Sequence, residues 1–180
     1  MTAAPVAEKP KKLTIGSLDD TDLHVEAQYN PKEVTISHTI PWKDHPKGNT
    51  DGLQQEYSGG AARETTIDLF FDGVETGGNV PGGGTVVDQI KKLNQMASVR
   101  DSSSTKDEMR RPHHCCLVWS GLLADTSSFQ CVIMSVSTKY QMFKADGTPL
   151  RATCTVVLKE ATRVMMAEAP APAPTGAGKA

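Results

Sequence analysis

The chain has 180 residues and a formal net charge of −2, and apolar residues make up 38% of it. That length is sufficient for one domain with a buried core. The small net charge gives no reason to expect a nucleic acid or an anionic membrane as a partner. No apolar run approaches about 18 residues, so the sequence predicts neither a spanning helix nor direct membrane insertion.

The two ends of the chain differ in composition from its middle. Residues 1–12 are predicted to form a flexible arm, in which no apolar segment of a signal peptide follows the lysines. Residues 13–162 are predicted to form the folded domain, and the Ala/Pro-rich residues 163–180 a semi-extended tail. We therefore expect synthesis in the cytosol, where the four cysteines stay reduced.

Strand patterns come first in chain order. Alternating apolar and polar residues predict short strands at 13–18, 23–29, 34–40 and 53–57, and a longer strand at 63–71. Polar and Gly-rich segments between them predict loops. The sequence therefore indicates a β-rich domain in its first half.

The helical pattern covers Val86 to Met96, where apolar residues recur at helical spacing. Thr85 is a suitable N-cap, and Asp88 at the third helical position would complete a weak capping box. The preceding Gly-rich run, 77–84, lacks the Lys-Ser/Thr pair of a phosphate-binding loop. A surface loop is therefore favoured there, with weak anion binding at the helix N-terminus as the alternative.

A strand at 114–119 precedes a long hairpin predicted between Phe129 and Glu160. Asp146-Gly147 is predicted to form the hairpin turn, because Gly tolerates the positive φ that such turns need. One face of the first strand is predicted from alternating apolar residues: Val132, Met134 and Val136. One face of the return strand is predicted in the same way: Leu150, Ala152, Cys154, Val156 and Leu158. Adjacent strands with short turns pair antiparallel, which predicts an antiparallel β-barrel or sandwich with one flanking α-helix.

No group of residues predicts an active site or a bound cofactor. The run 113–116 (HHCC) lies in a strand, so its side chains alternate between two faces and cannot all bind one metal ion. A metalloprotein using Cys115, Cys131, Cys154 and a histidine is an alternative, but buried thiols acting as small hydrophobes are favoured. Ser120 lacks the GxSxG context of a nucleophile, and no carboxylate lies in an evident apolar pocket. We therefore do not expect an enzyme.

Most of the aromatic residues are expected in the core: Trp42, Tyr57, Phe70, Phe71, Trp119, Phe129, Tyr140 and Phe143. Because Phe70 and Phe71 are adjacent in a strand, one ring must face outward. That ring needs cover from the helix or from another subunit. The same holds for Met142 and Phe143 near the hairpin tip, which indicates a partner there.

Four segments resemble the tube proteins of contractile injection systems, a family similar to phage tail tube and type VI secretion tube proteins. They are YNPKEVTISHTIPW (29–42), TTIDLFFDGVET (65–76), RPHHCCLVWSGL (111–122) and YQMFKADGTPLRATCTVVLKE (140–160). The resemblance implies a β-barrel or sandwich with a flanking helix, six copies of which pair edge to edge in a ring around a lumen. The members that look most like this chain act between tube and spike hub, often with a C-terminal LysM domain. Only the Ala/Pro-rich residues follow the barrel here, so peptidoglycan binding is not inferred.

The resemblance implies a structural subunit of an injection-system particle, either a ring of the inner tube or the adaptor between tube and spike hub. The implied partners are further copies of the chain, tube rings, the spike or hub protein and baseplate components. The expected interface residues are Phe70, Phe71, Asp72, Tyr140, Met142, Phe143, Asp146, Gly147 and Arg151. Arg151 is expected to pair with a carboxylate across strands or subunits. The alternatives are a monomeric module that binds or chaperones cargo in the same machine, and the Cys/His metalloprotein.

Overall fold

The computed structural model describes residues 11–45, 54–57, 59–60, 62–81, 83–119, 128–162 and 164. Most of the predicted arm and tail lie outside the described residues. The strands are β1 (Thr14–Ser17), β2 (His24–Glu26), β3 (Thr35–His38), β4 (Trp42–His45), β5 (Gln54–Tyr57), β6 (Arg63–Asp72), β7 (Cys115–Val118), β8 (Ser128–Phe143) and β9 (Pro149–Glu160). The helices are α1 (Val86–Ala97) and a short 3-10 helix (Asp107–Met109).

Seven strands form one antiparallel sheet in the order β2-β1-β7-β8-β9-β6-β3, and β4 and β5 form a separate two-stranded ribbon. This confirms the predicted antiparallel β fold with one flanking α-helix. Within the described residues, β2 bonds only to β1 and β3 only to β6. The sheet is therefore open at two edges, and no ladder closes it into a barrel there.

The core lies between one face of the sheet and α1. The alternation of β6 is as predicted, with Thr65, Ile67, Leu69 and Phe71 buried. The β6–β9 register pairs the last three with Val156, Cys154 and Ala152. Full burial of a side chain such as Ile67, Leu69 or Phe71 contributes about 1.5–3 kcal/mol to folding. A shift of one residue would turn these side chains to the other face of the sheet, and the loss of their burial disfavours any other register.

The predicted inward face of β8 is wrong before the register shift at Ile133/Ser135 and correct after it, at Val136. The register of β8 against β9 shifts between Ile133 and Ser135, which marks a β-bulge. Before the bulge the buried side chains are Phe129, Cys131 and Ile133, whereas Met134 is 57% exposed. After the bulge Val136 packs against the core. One extra residue thus changes which positions face inward.

Helix α1 has the predicted capping box. The Asp88 amide donates to Thr85 Oγ1 at 3.2 Å, and the Thr85 amide donates to Asp88 Oδ2 at 2.9 Å. Of the apolar residues in this pattern, Val86, Ile90, Leu93 and Met96 are buried, while Val87 is only partly buried. These two hydrogen bonds satisfy the amides of Thr85 and Asp88, which have no partner within the first turn of the helix.

The Gly-rich segment before α1, residues 77–84, packs against the rest of the domain. Val80 is buried, and the Gln89 side chain donates to Gly83 O at 2.6 Å. The Val86 amide donates to Gly78 O at 3.0 Å. The segment is therefore tied to α1 by its own backbone, which composition alone did not predict.

The core assignment of the aromatic residues is wrong at four positions. Trp42 and Tyr57 are both more than half exposed on the β4–β5 ribbon, with ring centroids 5.7 Å apart. Tyr140 and Phe143 are also exposed, toward the end of β8. Among the described residues, no helix is long and apolar enough to cross a membrane.

Candidate assembly interface

The end of β6 places its three predicted interface residues in different environments. Phe71 is 1% exposed and packs in the core, so its predicted interface role is wrong. Phe70 is the outward ring, and part of its cover comes from the same chain: its centroid lies 5.9 Å from that of Tyr29 and 5.5 Å from the Arg151 guanidinium. Tyr29 and Arg151 thus supply part of the cover of Phe70 within one chain, and cover by another subunit stays a prediction.

Asp72 pairs with Arg151 across β6 and β9, with 2.6 Å between Oδ2 and Nη2. Arg151 was expected to pair with a carboxylate either across strands or across subunits, and within one copy it pairs across strands. The hydrogen bond from Arg151 lowers the pKa of Asp72, and the Val74 amide adds to the effect. The Asp72 amide also donates to Gln28 Oε1 at 2.7 Å, and the Gln28 side chain donates back to Asp72 O at 2.8 Å. Asp72 and Arg151 thus join β6 to β9 close to the turn of the β8–β9 hairpin, where Arg151 lies opposite Gln141.

The hairpin turn is formed as predicted by Asp146 and Gly147. Gly147 has φ +83°, a conformation that favours glycine, and its amide donates to Lys144 O at 2.9 Å. Asp146 Oδ1 accepts from the Thr148 amide at 2.8 Å, which lowers the pKa of Asp146. The turn therefore holds a defined geometry at the far end of the longest hairpin among the described strands.

The hairpin tip, defined here as residues 140–148, presents apolar side chains to solvent. Met142 and Phe143 are 52% and 59% exposed, and Tyr140 is 41% exposed. Met142 has φ +54°, the one positive value among the described non-glycine residues. Holding a non-glycine residue in this region costs about 1–3 kcal/mol, so the fold retains an unfavourable conformation beside an exposed apolar pair.

A groove of about 460 Å³ lies on the outer face of the sheet, beside the end of β6. We call it the Tyr29–Phe70 groove; its lining is Tyr29, Asn30, Pro31, Lys32, Glu33, Asp68 and Phe70. Its wall is fixed because Asn30 accepts from the Leu13 amide at 3.0 Å and donates to Lys11 O at 3.1 Å. The groove is lined by two aromatic rings that pack on each other and by polar side chains, and sequence patterns gave no sign of it.

A buried polar cluster joins the β1–β2 turn to the segment before β7. Ser17 Oγ and His113 Nδ1 are 2.8 Å apart, and both residues are buried. Ser17 Oγ also accepts from the amides of Asp19 and Asp20. Two accepted bonds leave the hydroxyl proton to donate to Nδ1, which requires the neutral imidazole.

Asp19 does not serve as the third member of a catalytic triad. Its carboxylate accepts from Arg111 at 2.8 and 3.2 Å and from the His114 amide at 2.8 Å. Burial acts to raise the pKa of Asp19, but the Arg111 and His114 hydrogen bonds outweigh it and hold the pKa below its usual value. With the serine oxygen capping a turn and the carboxylate bound to arginine, the cluster is suited to fastening loops.

The four cysteines are free thiols, and three of them are buried in the sheet. Burial raises the pKa of Cys115 to about 12 and also raises that of Cys131, its cross-strand partner. Cys154 lies elsewhere in the sheet, against Thr138. Within the described ranges, no three His, Cys, Asp or Glu side chains are placed to hold a metal ion, so the geometry gives the metalloprotein alternative no support.

Comparison with known proteins gives the context for this surface. Residues 9–168 match the family model described as contractile injection system tube protein. The chain belongs to this family. No curated protein matches this chain in sequence.

Among solved structures, this tube-protein family member is similar to the Dit protein of phage SPP1, described as a paradigm of the hub adsorption apparatus in phages that infect Gram-positive bacteria. The sequence identity is 12% and the TM-score is 0.42. The match covers 84% of this chain and 51% of that protein. The chain thus spans about half the length of that structure.

Proposed function

We propose that the chain is a non-enzymatic structural subunit that forms a hexameric ring in a contractile injection system. The ring is either part of the inner tube or the adaptor between the tube and the spike hub. Its partners are copies of itself, the adjoining tube rings, the hub or spike protein and baseplate components, all within the injection-system particle. The match of residues 9–168 to the tube-protein family is the observation on which this proposal rests.

The two end strands of the sheet support assembly through strand edges. In the described part of the chain, β2 and β3 each have one side with no hydrogen-bonded strand beside it. Free edges of this kind invite pairing with another chain, and soluble monomers normally block them. Because β2 and β3 differ, their pairing between copies would be heterologous, and such contacts close into a ring when the rotation permits.

The hairpin tip supports assembly independently of the strand edges. It exposes Met142 and Phe143 together at the end of β8, next to a turn whose shape is fixed by backbone hydrogen bonds. Adjacent exposed apolar side chains on a projecting element are typical of contact surfaces rather than of free protein surface. We infer that the tip contacts a neighbouring subunit.

Sedimentation velocity of the purified chain over a range of concentrations tests the proposal. We expect a discrete species of six copies of the 19.3 kDa chain, about 116 kDa, at high concentration. A chain that stays monomeric at every concentration, and also when mixed with its hub partner, would favour the cargo-binding or chaperone module instead.

A further inference from the structure

We propose that the first ten residues of the chain lie in the Tyr29–Phe70 groove of the same copy, where residues 6–9 pair with an uncovered edge of β6. The segment thereby adds a short strand to the sheet, a mode of binding that uses main-chain hydrogen bonds. The inference does not depend on the ring, because both surfaces belong to one copy. It identifies an edge that the chain closes for itself, in contrast to the edges at β2 and β3.

Part of β6 has no strand beside it on the side away from β9. The strand pairs with β9 along residues 64–72, but with β3 only along residues 63–66. Within the described ranges, no backbone ladder covers residues 67–71 on the β3 side. Asp68 and Phe70 lie in this stretch and line the groove. The groove is therefore located where β3 leaves the edge of β6 uncovered.

The main-chain groups of Asp68 and Phe70 face this uncovered side. The amide and the carbonyl of Asp72 both bond to the Gln28 side chain, on the side of β6 away from β9. Hydrogen-bonding directions alternate from residue to residue along a strand. The second and fourth residues before Asp72 therefore direct their amides and carbonyls the same way. Two residues thus offer two donors and two acceptors to an added strand.

The opposite wall of the groove does not satisfy these groups. Residues 29–33 connect Gln28, which is bonded to Asp72, with β3, which pairs with Thr66, so they run along the same edge. They form no ladder with β6, and Pro31 has no amide to donate. The groove of about 460 Å³ separates this wall from the strand. The edge therefore remains available to a further segment.

The charges around the groove are nearly balanced. Its lining has Glu33 and Asp68 against Lys32. Lys12 lies over the Tyr29 ring and Arg151 over the Phe70 ring, which offsets the remaining negative charge. A segment without net charge, held by its backbone, suits such a surface better than a charged one.

The described chain begins at the rim of this groove. Asn30, one of the lining residues, donates to Lys11 O at 3.1 Å and accepts from the Leu13 amide at 3.0 Å. The ten residues that precede Lys11 therefore start beside the groove. At about 3.3 Å per extended residue, four of them span roughly 13 Å, the same length as the stretch of β6 from Asp68 to Asp72.

The sequence of this segment suits an added strand. Pro5 and Pro10 enclose four residues, VAEK (6–9), which have one positive and one negative side chain. All four have amides, and in an extended strand every second one faces the partner, so two can meet Asp68 and Phe70. Proline at the ends is compatible with this role, because prolines in sheets are confined to edge strands and strand ends.

Amide hydrogen exchange at single-residue resolution tests the contact, with the full-length chain compared to a variant that lacks residues 2–10. We expect the amides of Asp68 and Phe70 to exchange at least about tenfold faster in the variant, because the deletion removes their acceptors. The amide of Val156, in the core strand β9, should exchange equally in both and serves as the reference for intact folding. Equal rates at Asp68 and Phe70 in the two chains would overturn the proposal.

Two proline variants of full length test the strand geometry. Ala7→Pro and Glu8→Pro each remove one amide, and successive amides of a strand face opposite sides. We therefore expect one variant to accelerate exchange at Asp68 and Phe70 as the deletion does, and the other to have little effect. Equal effects of the two would overturn pairing as a strand.

Dilution distinguishes contact within one copy from contact between copies. Protection of Asp68 and Phe70 should be independent of the protein concentration, since the segment and the groove belong to the same chain. Protection that disappears on dilution would mean that another copy covers this edge, and would overturn the contact proposed here. Sedimentation velocity reports on the ring separately, so a failure of this contact leaves the proposed function standing.

Discussion

Met142 has φ +54°, and non-glycine residues rarely adopt such values. Met142→Gly should relieve about 1–2 kcal/mol of backbone strain, and the greater freedom of glycine in the unfolded chain should offset only about 0.5–1 kcal/mol of that gain. We therefore expect an unchanged or raised free energy of unfolding in urea, together with weaker self-association.

Met134 offers the matched control, because it is an exposed methionine of the same strand without a positive φ. Met134→Gly relieves no strain there and should lower the free energy of unfolding by about 0.5–1 kcal/mol. Equal losses of folding stability in the two variants would show that Met142 is not held in a strained conformation.

His113 should make folding sensitive to mild acid. Burial lowers its pKa below the usual value of 6.5, with the Arg100 charge adding to the effect. The other charged groups that act on it are Asp19, Asp20 and Arg111. Since the folded pKa lies below the unfolded one, the unfolded chain binds more protons as the pH falls through about 6.5. The free energy of unfolding should therefore decrease from that pH downward and level off below the folded pKa.

Urea denaturation between about pH 7.5 and 5.5 measures this effect. His113→Asn removes the titrating group and retains a side-chain acceptor for the Ser17 hydroxyl. We expect a flatter pH profile in this variant over that range. A variant as steep as the native chain would mean that another group responds to the acid.

At the scale of the element, the hairpin turn depends on the backbone of Gly147. A Cβ at this position would meet nothing within 4 Å, so a substitution is opposed by φ +83° alone. Gly147→Val should lower the free energy of unfolding by about 1–3 kcal/mol, whereas Gly147→Asn should cost less because Asn tolerates positive φ. Chemical denaturation compares the two variants. Equal losses would indicate that side-chain contacts, rather than φ, determine the effect.

The sequence predicted β6, β9 and α1 well because each has one unbroken period. In β6 and β9 every second side chain faces the core, and α1 begins with Thr85 and Asp88 as a capping box. It failed on β8, where the bulge after Ile133 interrupts the period of two. A bulge depends on how the strand meets its partner, so alternation within β8 alone could not show it.

The candidate site was predictable only in its local parts. The Asp146-Gly147 turn follows from residue types, and so does one ring of the Phe70–Phe71 pair facing outward. The cover of Phe70 by Tyr29 depends on residues 41 positions apart, as does the groove that both line. The Ser17–His113 cluster joins residues 96 positions apart in the same way. Contacts of this range arise from topology and leave no periodic signal.

At the scale of the whole molecule, a single copy leaves strand edges unpaired and apolar side chains exposed. The described sheet ends at β2 and β3 with a free edge on each side, and the hairpin tip exposes apolar side chains. The core side chains, by contrast, are covered within a single copy; Phe71, for example, is 1% exposed. A single copy therefore has a buried core but unpaired strand edges and exposed apolar side chains, as expected of a subunit that assembles with copies of itself.

Electron cryo-microscopy of the purified, concentrated chain tests this account most directly, because it shows the symmetry of whatever assembly forms. We predict class averages of a six-fold ring with a central channel, in which a strand edge of each copy faces a neighbour. Isolated single copies, or two-fold dimers joined through identical surfaces, would contradict it.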